Sequence, residues 1–153
     1  MLLDIAKTVT LSVPPDDVWS LLSDPPAVAA CLPNVREFKA ADAPNRYTTL
    51  LVERLGPFQV QIPLTIDVTE DPAARQMRAA VAGDDRGGQA RVRGDVTATV
   101  RASGEGSVLD VQTKAEVLGR MATLGAVPIR RRGDQIFDQF TTNLAARLEG
   151  HGG

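Results

Sequence analysis

The chain has 153 residues, of which 43% are hydrophobic and 24% are charged, and its formal net charge is −2. This composition is ordinary for one folded domain with a substantial core, and it excludes a largely disordered chain. The slightly acidic balance argues against a nucleic-acid-binding protein. A single cysteine (Cys31) and a single histidine (His151) exclude an internal disulfide and argue against a zinc site or a histidine-dependent triad.

The N-terminal stretch MLLDIAKTVTLSV has an acidic Asp4 and only a short apolar start, which predicts no secretory signal. No stretch of the sequence approaches the ~20 apolar residues needed to span a bilayer. We therefore expect a cytoplasmic protein, whose only membrane association is a peripheral contact at the inner face of the cell membrane.

Residues 4–32 predict a strand and two short helices. Residues 4–13 alternate between apolar and polar side chains, as in a half-buried strand, although Lys7 interrupts the apolar face. Two prolines and two aspartates follow, which is typical of a first helical turn. Short apolar helices are predicted at 18–22, where we expect Trp19 to pack in the core, and at 27–32.

Strand patterns then follow one another without a helix between them. They cover residues 35–40, 47–54, 58–68, 76–82, 90–102 and 109–117. Residues 103–106 predict a hairpin turn. Pro63 lies inside the clearest strand, so we expect it at an edge or bulge, where its missing N–H does no harm. Consecutive strands of this kind predict an antiparallel sheet.

From about Leu124 the apolar period becomes helical. Residues 129, 136, 137, 140, 144 and 148 make one stripe on a helix of roughly six turns, and Gly125 and Gly133 predict a late start or a kink. The predicted fold is α+β: a curved antiparallel sheet of about six to seven strands around one long C-terminal helix. We expect a single domain at 1–149 and a flexible tail at 150–153.

Catalytic side chains are scarce. Paired acids lie at predicted turns, where they are solvated or cap helices. Cys31 lies in an apolar helix and is expected to be a small buried hydrophobe. Tyr47, Glu53 and Glu116 are the only polar groups we would assign to a cavity enzyme, and both glutamates are predicted to face outward. We therefore predict that the protein is not an enzyme.

The apolar inventory is more informative. The inward face of the sheet is rich in small residues, at 79, 90, 94, 98, 113 and 115. Either the helix approaches the sheet closely, or a cavity lies between them and takes an apolar ligand. The side chains predicted to line that cavity are Phe58, Ile62, Leu64, Met77, Leu124, Phe137 and Phe140.

One basic run stands at the predicted start of the long helix. Arg130, Arg131 and Arg132 are consecutive, and Arg120 lies nearby. They form either a solvated face or a contact with anionic lipid or an acidic protein partner. At an anionic bilayer, each basic residue would contribute about 1 kcal/mol to binding.

Several motifs together resemble one protein family. The opening carries Val18-Trp19, a Leu22-Ser23-Asp24-Pro25 step and a Cys31-Leu32-Pro33 ending. Gly56-Pro57 starts the longest strand pattern, a glycine-rich step follows, and the stretch GRMATLG at 119–125 precedes the two phenylalanines of the long helix. In this order the motifs resemble the CoxG family of carbon monoxide dehydrogenase subunits, within the Bet v 1-like, START-like (SRPBCC) superfamily.

That resemblance covers nearly the whole chain and departs from the family pattern at Asn34. Asn34 stands where the family usually has glycine, and asparagine tolerates a left-handed turn. The resemblance implies a helix-grip fold with a hydrophobic pocket and a non-catalytic accessory role. The implied ligand is a lipophilic molecule such as the isoprenoid quinone menaquinone, with no covalent cofactor and no metal.

The resemblance also implies a partner, a molybdenum hydroxylase of the carbon monoxide dehydrogenase type, which the protein would link to the membrane or its quinone pool. Two alternatives stay open at this point. The protein could be a structural adaptor with a filled core, or a small cavity enzyme of the cyclase or hydrolase type.

Overall fold

The computed structural model describes residues 1–150, and seven strands in them form one antiparallel sheet. The strands are β1 (Leu2–Leu11), β2 (Val35–Ala40), β3 (Arg46–Leu55), β4 (Phe58–Asp71), β5 (Gln76–Asp84), β6 (Arg91–Ser103) and β7 (Gly106–Leu118). Their order across the sheet is β1-β7-β6-β5-β4-β3-β2. Each strand therefore pairs with its sequence neighbour, except that β1 closes against β7.

Three α-helices complete the fold of residues 1–150: α1 (Pro15–Leu22), α2 (Pro25–Cys31) and α3 (Ala126–Gly150). Pro15 and Pro25 occupy the first turns of α1 and α2, where a missing N–H costs no hydrogen bond. A short 3-10 helix (Arg120–Leu124) connects β7 to α3. Gly125, at φ 87°, separates that connection from α3, so the late helix start predicted from this glycine is found.

The sheet curves around α3, which contacts strands near both of its edges. The helix touches β1 at one edge and β3 near the other, and it also packs on α1 and α2. This arrangement confirms the predicted fold, a curved sheet around a long C-terminal helix. Gly150 is the last residue of α3, and the rest of the predicted tail, with His151, lies outside the described residues.

Pro63 lies where β4 can accept it. It pairs with Leu50 of β3, but the ladder with β5 begins only at Leu64, opposite Gly83. A Cβ on Gly83 would fall 2.1 Å from the Pro63 carbonyl oxygen, so only glycine fits where β5 reaches this point. Pro63 therefore lies just beyond the β5 ladder, on a stretch of β4 that pairs only with β3, which agrees with the expected edge position.

Two clusters of buried side chains hold the fold together. The α1–α2 core joins both short helices to β7 and the end of α3, and it includes Val18, Cys31, Leu109 and Leu144. Trp19 packs against it while partly exposed, as predicted. The β4 core lies around the first half of β4 and the start of α3, and its members include Val60, Ile62, Leu64, Met121 and Ile129.

Candidate functional site

A cavity of about 410 Å³ lies between the concave face of the sheet and α3. The middle of α3 covers it with Ile136, Phe137 and Phe140, and α2 contributes Val28 and Leu32. Side chains from β1 and from β4 to β7 line its opposite wall. The volume lies within the range of small-molecule binding sites, and a predominantly apolar lining is typical of them.

Small side chains on the sheet leave this space open. Ala79, Ala98 and Thr113 line the cavity beneath the two phenylalanines of α3, whose ring centroids are 6.5 Å apart. Ala90 instead belongs to the β4 core, and a Cβ on Gly94 would fall 2.8 Å from the Lys114 carbonyl oxygen. The cavity interpretation therefore applies at three of these positions, while Gly94 is close to the neighbouring strand β7 and not to the helix.

The structure separates the seven residues predicted to line the cavity into two groups. Met77, Phe137 and Phe140 lie in its wall. The other four are outside the wall and pack in or against the β4 core: Phe58, Ile62, Leu64 and Leu124. The prediction needs correction for these four, because alternation identifies the inward face of β4 but not which part of that face borders the cavity.

Several lining residues were not predicted. Ile66 and Val68 continue the inward face of β4 beyond Leu64 and reach the cavity. Phe38 comes from the irregular strand β2, whose pairing with β3 shifts between Arg36 and Lys39. The β4 alternation could have identified the first two residues, but no local pattern marks the arrival of β2 or α2 at the cavity.

One ion pair lies at the cavity wall. Lys7 interrupts the apolar face of β1, as the sequence indicates, and it lines the cavity. Its Nζ is 2.7 Å from a carboxylate oxygen of Asp134 on α3, and the two side chains are 33% and 43% exposed. The pair therefore stands between the cavity and solvent.

A second polar connection ties α3 to β3. Glu53 accepts hydrogen bonds from Arg132 Nε at 2.8 Å and Nη2 at 3.1 Å, and from the side-chain amide of Asn34 at 2.9 Å. The hydrogen bond to Glu53 raises the pKa of Arg132. Glu53 is 8% exposed, so the prediction that it faces outward is wrong. Its neighbours Leu50, Leu51 and Val52 are all apolar, so the sequence pattern could not decide which face is buried.

This network changes two further expectations. Arg132 is held by Glu53, so it is not a free contact residue like Arg130 and Arg131, which are exposed. Asn34 does not adopt a left-handed conformation. Glu37 does so instead, at φ 55°. The side-chain amide of Asn34 donates a hydrogen bond to Glu53.

The remaining polar candidates contribute nothing to the lining. The ring of Tyr47 stacks on Phe38 at 5.1 Å between centroids, and only Phe38 reaches the cavity. Glu116 lies on β7 opposite the exposed Leu2. Cys31 is 2% exposed in the α1–α2 core, and burial raises the pKa of its thiol, as expected of a packing residue.

An exposed basic and apolar face marks the start of α3. Val127, Arg130 and Arg131 have the spacing i, i+3, i+4 that places side chains on one side of a helix, and all three are exposed. Val127 is 67% exposed, which is unusual for a large hydrophobic residue in this chain. Arg120 is also exposed, in the adjoining 3-10 helix. Within residues 1–150, no helix is both long enough and apolar enough to cross a bilayer.

Solved structures with the same architecture cover almost the whole chain. A conserved protein from Geobacillus kaustophilus is 19% identical, with a TM-score of 0.85 and 97% of this chain and 96% of that chain covered. A START superfamily protein from Mycobacterium smegmatis is 15% identical, with a TM-score of 0.73 and coverage of 96% and 97%.

A truncated norcoclaurine synthase from Thalictrum flavum is 14% identical, with a TM-score of 0.68 and coverage of 97% and 94%. At these identities the likeness establishes the fold alone, and this fold includes enzymes as well as other proteins. No curated protein sequence is significantly similar to the chain. The family model of the carbon monoxide dehydrogenase CoxG subunit matches residues 8–149, so the chain belongs to the CoxG family.

Proposed function

We propose that the protein is an accessory subunit that binds a lipophilic molecule, an isoprenoid quinone such as menaquinone, in the cavity under α3. The observation that carries the proposal is the cavity of about 410 Å³, whose wall is apolar almost throughout. Flat conjugated rings pack well against aromatic and thioether side chains, which Phe137, Phe140 and Met77 supply.

Family membership supplies the second half of the proposal. The family is named for carbon monoxide dehydrogenase, so the partner we propose is a molybdenum-containing enzyme of that type. A subunit that holds a quinone could connect such an enzyme to the quinone pool of the membrane. A filled interior near Phe137 would have favoured the adaptor alternative, and a cavity lies there instead.

A matched pair of variants tests ligand binding. Ala79 lines the cavity, whereas its neighbour Ala80 is exposed on the outer face of β5. Ala79→Leu adds the same atoms inside the cavity that Ala80→Leu adds outside it. Titration with menaquinone-4 should give micromolar binding to the wild type and to Ala80→Leu. Ala79→Leu should bind at least about tenfold more weakly, because it fills the space for the ring.

Two results would count against the proposal. If the wild type takes up neither menaquinone-4 nor another lipophile at micromolar concentration, the result would favour a structural adaptor without a ligand. Equal binding by the two leucine variants would place the ligand elsewhere. Thermal unfolding of each variant without ligand is the control, because filling a cavity should leave the fold at least as stable.

We further propose that the face formed by Val127, Arg130 and Arg131 contacts an anionic bilayer. Its exposed arginines complement anionic headgroups, and its exposed valine can enter the interface between headgroups and acyl chains. Each arginine contributes about 1 kcal/mol, so the contact is weak and reversible.

Sedimentation with phosphatidylglycerol vesicles tests this face. Arg130→Glu/Arg131→Glu should lower the bound fraction strongly, whereas phosphatidylcholine vesicles should bind little of either protein. The charge-matched control is Arg36→Glu/Arg54→Glu, which alters exposed arginines on β2 and β3. If both double variants lost vesicle binding equally, the loss would reflect net charge alone, and the proposal that this face binds the bilayer would be wrong.

A further inference from the structure

The cavity wall departs from apolar chemistry at very few places. Among the lining residues in the described part of the chain, only Lys7, Arg78 and Thr113 carry a polar side-chain group. Arg78 pairs with Asp95 at 3.3 Å, and its side chain is 62% exposed. Its guanidinium is therefore directed away from the cavity, and only Lys7 and Thr113 can offer a polar atom to a ligand.

Those two residues are neighbours. Lys7 lies opposite Val111 in the β1–β7 ladder, and Thr113 is two positions further along β7 on the same face. Diagonal partners of this kind are within reach of a long side chain. Lys7 and Thr113 are therefore diagonal neighbours on the two strands that line this part of the cavity.

The long helix holds Lys7 in place. A Cβ on Gly133, which also lines the cavity, would lie 3.4 Å from Ile5 Cδ1, so α3 runs close to β1 here. The next residue, Asp134, pairs with Lys7 at 2.7 Å. An ammonium group has three N–H donors, so one can serve Asp134 while another serves a ligand.

We propose that Lys7, positioned by Asp134, determines the ligand class by donating a hydrogen bond to a neutral oxygen acceptor, a ketone or quinone carbonyl. The inference rests on the proposed function, since it assumes that a lipophilic molecule enters the cavity. Asp134 balances the charge of Lys7, so a carboxylate would meet a neutral pair while losing its own hydration. The site therefore favours a carbonyl-bearing lipid over a fatty acid and over a plain hydrocarbon.

Three probes of equal chain length separate these classes. Displacement of Nile red by 2-tridecanone, tridecanoate and tridecane reports their relative affinities for the full-length protein. The wild type should bind the ketone most tightly. Lys7→Met should weaken ketone binding by about three- to tenfold, the loss expected for one hydrogen bond, and leave tridecane unchanged.

Other variants examine the charge balance and the donor. Asp134→Asn leaves the Lys7 charge without its partner. The affinity for tridecanoate relative to that for the ketone should therefore rise by about threefold or more. Lys7→Arg keeps a donor and should restore most of the ketone preference. The control is Arg46→Met, which breaks an ion pair of similar exposure that lies outside the lining.

The ratio of ketone to alkane affinity within each variant cancels any general loss of folded protein. An unchanged ratio in Lys7→Met, with tight binding retained, would overturn the role of Lys7 and leave the proposed function standing. Absence of binding by every probe and by menaquinone-4 in the wild type would instead remove the proposed function and this inference with it.

Discussion

At the scale of single residues, Glu53 is predicted from the sequence to face outward, but its carboxylate is buried. Arg132 and Asn34 together satisfy both of its oxygens. Arg132→Ala would leave a buried charge without its cation. We expect a loss of about 2 kcal/mol in the free energy of unfolding, at the low end for such pairs because the arginine is 32% exposed.

Urea unfolding measures this loss, and Arg131→Ala, which removes an exposed neighbour, should change stability by less than about 0.5 kcal/mol. The double variant Glu53→Gln/Arg132→Ala should be more stable than the sum of its single changes predicts. Additive losses would mean that the pair is not coupled.

Cys31 gives a prediction with a defined pH dependence. Burial raises the pKa of its thiol, so the folded state keeps the proton to higher pH than the unfolded state does. Stability should therefore fall as pH rises through the range of an ordinary thiol, between about pH 8 and pH 10. Cys31→Ala should show a smaller fall over the same interval, and equal pH profiles would exclude any contribution from the thiol.

At the scale of elements, α3 carries a glycine that its packing does not demand. Gly133 lies inside the helix, where glycine destabilises by about 1 kcal/mol relative to alanine. An added methyl group would meet Ile5 Cδ1 at 3.4 Å, an ordinary contact. Gly133→Ala should therefore raise the free energy of unfolding by about 0.5–1 kcal/mol.

Thermal and urea unfolding check this gain. If Gly133→Ala instead destabilises the protein, the methyl group is not accommodated beside Ile5 as the 3.4 Å contact predicts. Its effect on ligand binding is a separate question, because the new methyl group also borders the cavity.

Sequence patterns identified the elements far better than the positions of residues along them. The order of strands and helices follows from the alternation, the helical period and the prolines, all of which are local signals. Alternation on β4 correctly assigned Ile62 and Leu64 to the inward face. Whether such a residue reaches the cavity depends on the curvature of the sheet and the path of α3, which no local pattern encodes.

Long-range pairs were equally hidden. Glu53 and Arg132 are 79 residues apart, and their partnership arises only when α3 crosses β3. Met77, Phe137 and Phe140 do line the cavity. They lie on the facing surfaces of the sheet and the helix, and the two apolar patterns identify those surfaces.

At the scale of the whole molecule, the two proposed functions occupy different regions. The cavity lies under the middle of α3, and the basic face lies at its first turns. Arg130→Glu/Arg131→Glu should therefore leave menaquinone-4 affinity within about twofold of the wild type while it reduces vesicle binding. If the two properties fell together, the fold itself would have been disturbed, and circular dichroism would show it.

Native mass spectrometry of the protein purified from a quinone-producing host shows whether the cavity holds a lipophilic ligand. Organic extraction of the same sample identifies what is bound. We predict a co-purifying isoprenoid quinone or a similar carbonyl-bearing lipid, retained by Ala80→Leu and lost in Ala79→Leu. A wild-type protein that carries no ligand and also fails to take up added quinone would refute the proposed role of the cavity.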